Sequence, residues 1–341
     1  MIKTSLFADQ EREAKLNKLG DALQVMEKHV DFVALAAEVD RAAPRPGRGR
    51  GGRPPFPTEL MVRVLLIQQL FNLSDEQMEF QLLDRLSFQR FVGLRASSEI
   101  PDRTTIWTFK ERLIQAGASE SIFDAVNQQL SRHGYIARGG QMIDASIVQA
   151  PKQSLSKEEK ELVGEGAMPI TWTPAKRRQK DVDARWTKKH GKSYFGYKVS
   201  ANADKRYKLV RRIKVSTASE HDTLHFEDVL DPNNTNRNIL ADKGYVDGAR
   251  EERLSKQGWR MHIQRKGTKD KPISETQQRR NHRIAKTRAR VEHVFAGLAQ
   301  LGGKALRSIG LPRATLQLNW KVAAYNLQRL VYLKEARIEA F

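Results

Sequence analysis

Three carboxylates stand where ionised acids are costly or conspicuous. In Ile143-Asp144-Ala145-Ser146 an aspartate lies inside an apolar run. In Ile239-Leu240-Ala241-Asp242-Lys243-Gly244-Tyr245 a second closes an apolar run and is followed by a glycine. An ionised Asp among apolar neighbours needs a cationic partner or a metal. The third, Glu292, lies in a segment whose Val291, Phe295 and Leu298 recur at spacings of four and three, one stripe of a helix. This places Glu292 at the edge of the core, one turn beyond Arg288 on the same side. Hard divalent cations prefer carboxylate oxygens. Two such ions held about 3.5–4 Å apart clamp the attacking and leaving oxygens of an in-line phosphoryl displacement. Taken singly, each Asp is equally well explained as a turn cap or an Arg partner, and Arg288–Glu292 as a surface pair.

The elements that must bring these acids together read as follows. Residues 1–40 form an N-terminal helical segment, with Leu16, Leu19, Leu23 and Val25-Met26 at roughly helical spacing over 10–40. Residues 41–57 are a basic Pro/Gly-rich stretch with Arg at 41, 45, 48, 50 and 53, either a linker or an arm laid on DNA. Residues 58–135 are helical again, one helix opening at Thr58-Glu59, one capped by Ser74 and running to Leu86, one starting at Asp102. Such a unit suits a DNA reader of the helix-turn-helix kind. Residues 136–341 change texture. Strands are expected at 141–148, 194–202, 208–216, 238–242 and 259–264, helices at 222–230, 246–256, 275–300 and 312–337, with a polar loop or insertion at 151–190. The fold class is therefore α/β, a mixed sheet with flanking helices preceded by an all-α region. Strand ends of such sheets are where ligands bind.

Charge indicates the partner. Of 341 residues, 60 are Lys or Arg and 40 are Asp or Glu, a formal +20, which calls for a polyanion. Residues 171–214 carry fifteen Lys or Arg against three Asp, and 261–290 ten against two acids, so both flank the acidic segments. Lys192, Lys198, Lys243, Arg288 and Arg290 are the expected DNA contacts, giving salt-sensitive affinity. Trp172, Trp186, Tyr194 and Tyr197 lie among these charges, either to stack on unpaired bases or to pack a loop onto the core. The most apolar run, Val64-Leu65-Leu66-Ile67, stops at Gln68-Gln69, and no membrane span or signal peptide is visible. The chain has no cysteine, which excludes disulfides and Cys-type zinc sites and is compatible with a reducing cytoplasm. Gly191-Lys192-Ser193 lacks the earlier glycine of a phosphate loop, so no nucleotide cofactor is expected. His221 and His225 flank Asp222 rather than Glu and do not make a zinc-protease motif.

At these residues the chain resembles the DDE transposases of bacterial insertion sequences, from about residue 53 to 332. Ile143-Asp144-Ala145-Ser146 and Ala241-Asp242-Lys243-Gly244-Tyr245 resemble the family's two Asp motifs. Arg288 and Glu292 match two positions of its Tyr-x₂-Arg-x₃-Glu-x₆-Lys signature. Pro101-Asp102-Arg103-Thr104-Thr105-Ile106, Phe195-Gly196-Tyr197-Lys198, Glu220-His221-Asp222-Thr223 and Tyr325-Asn326-Leu327-Gln328-Arg329-Leu330 resemble further family segments. The signature's Tyr and Lys positions hold Ala285 and Ala299 here, leaving Lys286 or Lys304 as possible substitutes. The resemblance implies an RNase H-like catalytic domain in which Asp144, Asp242 and Glu292 hold Mg²⁺, with Mn²⁺ able to substitute. It implies DNA partners, both the terminal inverted repeats and a target, and by analogy a homodimer. The alternatives are a metal-dependent nuclease of the same fold and a non-catalytic DNA-binding regulator.

Overall fold

The computed structural model describes residues 5–45, 54–94, 97, 99–268 and 272–340. Most of the Pro/Gly-rich stretch expected to be a linker or DNA arm, 46–53, lies outside the described residues.

Residues 10–40 form three helices rather than one: α1 (Ala8–Leu19), α2 (Ala22–His29) and α3 (Phe32–Ala42). Gly20 turns the chain at φ 89°, and Asp21 and Asp31 each start a new helix by accepting a backbone N–H, from Leu23 at 3.0 Å and Ala34 at 2.9 Å. Five helices follow: α4 (Thr58–Leu70), α5 (Asp75–Asp84), α6 (Leu86–Val92), α7 (Arg103–Gln115) and α8 (Ser121–Arg132). Ser74 and Gln77 close a reciprocal capping box on α5, and Asp102 caps α7 through the Thr105 amide at 2.6 Å.

Next come β1 (Gln141–Gln149), α9 (Lys157–Gly164), α10 (Pro174–Gln179), β2 (Arg185–Lys189), β3 (Lys192–Asp204), β4 (Val210–Thr217), β5 (Asn238–Ala241), α11 (Gly248–Lys256), β6 (Arg260–Ile263), α12 (Glu275–Gln300) and α13 (Leu311–Glu335). The stretch 151–190, expected to be a polar loop, thus contains two short helices and a strand. The helix expected at 222–230 is only a 3₁₀ turn over Asp222–His225. Side chains from elsewhere take carbonyls that an α-helix would use: Arg250 donates to the Thr223 carbonyl at 2.8 Å and Asn202 to that of Val229 at 2.7 Å.

The sheet is mixed. β3 lies antiparallel between β1 and β4, β2 extends the same edge as β4, and β5 and β6 add parallel to β1 in the order β2-β3-β1-β5-β6. Strand alternation sorts the side chains. Met142 and Leu240 face a core shared with Val291, Val294 and Leu298 of α12 and with α13. Ile143, Ile239 and Ala241 face the other way, onto Phe226, Tyr245, Leu254 and Trp259. The first core continues without a break into α2–α8, so the helices before the sheet and the closing helix α13 share one apolar interior. α13 buries residues all along its length, which is why its periodicity in sequence is weak. Its Asn326 accepts from the Val210 amide at 2.9 Å and donates to the Val210 carbonyl at 2.8 Å, closing the start of edge strand β4. Among the described residues no helix is long and apolar enough to cross a membrane.

Gly196 is the tightest point of the sheet. It pairs with Gln149 of β1 and Arg185 of β2 at once, with φ 153°. A Cβ there would stand 2.2 Å from the Val148 carbonyl oxygen and 2.6 Å from the Ala150 nitrogen. Gly196→Ala should therefore lower stability by roughly 3 kcal/mol, because both obstacles are backbone. A urea midpoint equal to that of the parent protein would show that the strands part at little cost.

Candidate active site

β1 and β5 are parallel neighbours with Met142 opposite Leu240. Two residues further along each chain come Asp144 and Asp242. The same alternation turns both towards α12, at the end of the sheet where β5 stops. Asp144 is mostly enclosed. Its Oδ2 accepts from the Arg288 guanidinium at 2.8 Å, and its Oδ1 from the Ala145 amide at 2.9 Å. Burial pushes the Asp144 carboxyl above its ordinary range. Arg288 and the Ala145 amide oppose that rise, the charge of Asp242 adds to it, and Lys189 opposes it. Asp242 is half-buried and caps the turn Lys243–Tyr245 by accepting from the Gly244 amide at 2.8 Å.

Tyr245 sits below this pair, 1% exposed, and among the described residues its hydroxyl has no hydrogen-bond partner. Burial raises its phenol, and the charges of Asp222, Asp144 and Asp242 raise it further. Cations line the other side. Lys304 donates to the Ser146 hydroxyl at 2.6 Å, and Ser146 is two residues past Asp144 on the same face. Burial lowers the Lys304 ammonium, Lys189 lowers it further, and Asp144 opposes the shift.

The remaining candidates fall into two groups. Glu292 was expected at the core edge, but it is exposed, because α12 buries the stripe Val291, Val294 and Leu298 instead. Arg288 pairs with Asp144 rather than with Glu292. Among the described residues no three His, Cys, Asp or Glu side chains gather closely enough to hold a metal. Lys198 lies opposite Ile147, on the far face of the sheet from Asp144. Its ammonium is held by Asp222 at 2.6 Å and the Glu220 carbonyl at 2.5 Å, so it is engaged within the protein. Lys192, Lys243 and Arg290 are exposed, and Arg290 also donates to the Lys205 carbonyl at 3.2 Å. Lys192 follows the His190-Gly191 turn (φ 49° and 77°) that joins β2 to β3.

Most of the aromatic residues prove structural. Tyr197 is buried and donates to Asp181 at 2.7 Å, and Trp172 is buried and donates to Glu159 at 2.7 Å. Trp186 is the one half open to solvent, at 49% exposure. Sequence reasoning missed Lys189, Ser146 and the Tyr245 hydroxyl. Tyr245 carried a signal, since it follows Asp242 by three residues across a glycine turn. Lys189 and Ser146 carried none.

A half-buried carboxylate pair facing a helix, with Arg288, Lys304 and Lys189 around it, can attract a cation and steer phosphate oxygens. Comparison with known proteins agrees in kind. A family model described as a transposase DDE domain matches residues 137–327, and one described as a transposase domain (DUF772) matches residues 10–112. Among solved structures the chain is distantly similar to the piggyBac transposase in its synaptic complex with hairpin DNA, at 12% identity and a TM-score of 0.45 over 93% of this chain and 74% of that one. Because the first match spans more than half of its residues, this chain belongs to the family of transposases with a DDE domain.

Proposed function

We propose that this protein cuts and rejoins DNA at the ends of an insertion sequence, using divalent cations at Asp144, Asp242 and Glu292. The observation that carries the reading is the juxtaposition of Asp144 and Asp242 on the α12 face with Arg288 between strand and helix. The strand order supports an RNase H-like assignment: three antiparallel strands, then two added parallel to the first.

A hard dication would take its first two oxygens here from Asp144 and Asp242. Two carboxylates stand side by side, and Asp144 is harder to ionise because of burial and its neighbour. The Tyr245 hydroxyl beneath them, without a partner among the described residues, would add a donor to orient a carboxylate oxygen or a water. Glu292 is the third donor in this reading, one turn beyond Arg288 and joined to no other described residue by a hydrogen bond or ion pair. Mg²⁺ suits such oxygens, with Mn²⁺ as substitute. When bound, the metal neutralises charge on the reacting phosphate and activates the attacking oxygen.

The chain's own groups do the rest. Arg288 holds Asp144 in place through one N–H and would offer another to phosphate; its Nε is enclosed and has no hydrogen-bond partner among the described residues. Lys304 and Lys189 add positive charge beside Asp144, which draws a phosphodiester to the strand ends. Water attacks the phosphodiester at the element's end and frees a 3′-hydroxyl, and that hydroxyl attacks a phosphodiester of a second DNA strand at the same place, joining the two and releasing that strand's own 3′-hydroxyl. No covalent enzyme intermediate is required. Residues 58–135 would read the terminal inverted repeats, residues 136–341 would carry out the chemistry, and joining two ends calls for a homodimer. Exposed Lys192, Lys243 and Arg290 would follow the DNA backbone around the site.

Asp144→Asn, Asp242→Asn and Glu292→Gln should each reduce Mg²⁺-dependent cleavage of flanking DNA by about a thousandfold or more while DNA affinity stays near that of the parent. Full activity in any one removes that residue from the site. The parent's products also discriminate: cutting without joining marks a nuclease, and binding without cutting a regulator.

Asp144 has a raised carboxyl, so the fold holds its proton more tightly than the unfolded chain does. Its ionisation therefore costs stability as pH rises from the ordinary Asp value through the raised one. A bound cation should recover that loss. Millimolar Mg²⁺ or Mn²⁺ at pH 7 should raise the melting temperature of the parent and not of Asp242→Asn. Identical melting with and without metal would remove the cation from this site. Affinity for DNA should also fall at least about a thousandfold between 50 and 200 mM salt, and a flat response would sink the phosphate contacts.

A further inference from the structure

Lys321 lies in the middle of α13 and is 0% exposed. A buried ammonium ordinarily pairs with a carboxylate. This one instead donates to the Leu301 carbonyl and, at 3.3 Å, to the Asn72 amide oxygen. Burial, with Arg307 adding, pushes it down to about 8. A hydrophobic side chain of similar length would avoid that cost, so the residue is explained by what it holds.

It holds the strap between α12 and α13. Leu301 to Leu306 leaves α12 through two close approaches. A Cβ on Gly302, which has φ 78°, would stand 2.3 Å from the Asn72 side chain, and one on Gly303 would stand 2.7 Å from the Leu298 carbonyl oxygen. The strap then runs beside β1: the Gln149 amide donates to the Lys304 carbonyl at 2.9 Å, and the Leu306 amide to the Gln149 carbonyl at 2.7 Å. Lys321 fixes the Leu301 end of the strap, and Gln149 holds the backbone from Lys304 to Leu306. Lys304 and Lys321 also line one small cavity with Ser146, of about 10 Å³, enough for a single water. Asn72, the third party, sits in the turn after α4 with φ 51°, so the same contact ties the strap to the N-terminal helices.

We propose that Lys321 is a positioning residue that sets the Leu301–Leu306 strap, and through it Lys304, against the carboxylate face. Lys321 touches no reacting group; it acts by fixing where the Lys304 ammonium stands relative to Ser146 and Asp144. The proposal rests on the reading of that face as the active site. It also makes the turn at Asn72 the place where a shift of the N-terminal helices reaches Lys304.

The test uses the full chain and two readouts. The first needs no catalysis: the rate at which acetic anhydride labels Lys304, followed by mass spectrometry, with exposed Lys189 as the internal standard. Lys321→Met should keep the parent's melting temperature and DNA affinity while Lys304 labelling rises about tenfold and Lys189 labelling does not change. Should Lys321→Met fail to fold, Lys321→Gln, which keeps a donor for the Leu301 carbonyl, takes its place with a smaller rise. The second readout is single-turnover cleavage of flanking DNA with Mg²⁺. Lys321→Met and Lys304→Ala should each slow it about tenfold, and the double variant should be no slower than the worse single one. Unchanged Lys304 labelling in a folded variant overturns the proposal, as does a double variant whose loss is the product of the two. If the parent cuts no DNA, the transposase reading fails, and labelling alone decides whether Lys321 sets Lys304.

Discussion

Placing two carboxylates next to each other on the inner side of a sheet is unfavourable, and much of the local structure answers that fact. Burial disfavours the Asp144 anion, Asp242 disfavours it further, and the Arg288 guanidinium and the Ala145 amide offset part of the cost. The guanidinium comes from α12, so the electrostatic balance of the strands depends on a helix more than a hundred residues away in sequence. α12 in turn is held by Val291, Val294 and Leu298 packing where Met142 and Leu240 emerge from the sheet. Apolar contact sets the distance at which the charged contact forms.

The same arrangement leaves groups unsatisfied at the strand ends. Among the described residues the Tyr245 hydroxyl has no partner, nor has the Arg288 Nε, and Glu292 is exposed. Other polar groups are closed by long-range contacts: the Asn326 side chain meets both backbone groups of Val210 at the start of β4, the Tyr197 hydroxyl meets Asp181, and Asn202 and Arg250 donate to the carbonyls of a frustrated helix.

The helices before the sheet are built into the same interior as the strands. α4 buries almost every side and meets α13, whose other flank covers the sheet. A change in the N-terminal helices is therefore felt along α13 and at the turn between α12 and α13. That turn passes Lys304 beside Asp144, so the N-terminal helices and the strand ends are joined through packed side chains.

The amino-acid sequence determined the local events. Helix starts at Thr58, Asp75 and Arg103 followed from caps and apolar spacing, the long helices 275–300 and 312–337 from their length, and five of the six described strands from apolar runs and partial alternation, the strand at Arg185–Lys189 being the exception. Asp144 and Asp242 stood out because a charged residue in an apolar run is costly whatever surrounds it. Tertiary structure decided what depends on partners distant in the chain. It chose Asp144 rather than Glu292 as the partner of Arg288, committed Lys198 to Asp222 on the opposite face, brought Lys304 to Ser146, and reduced 222–230 to a single turn. None of these has a local signature: a side chain's neighbour across a sheet or along a packed helix is fixed by register and crossing angle, and those are set only when the whole apolar interior closes.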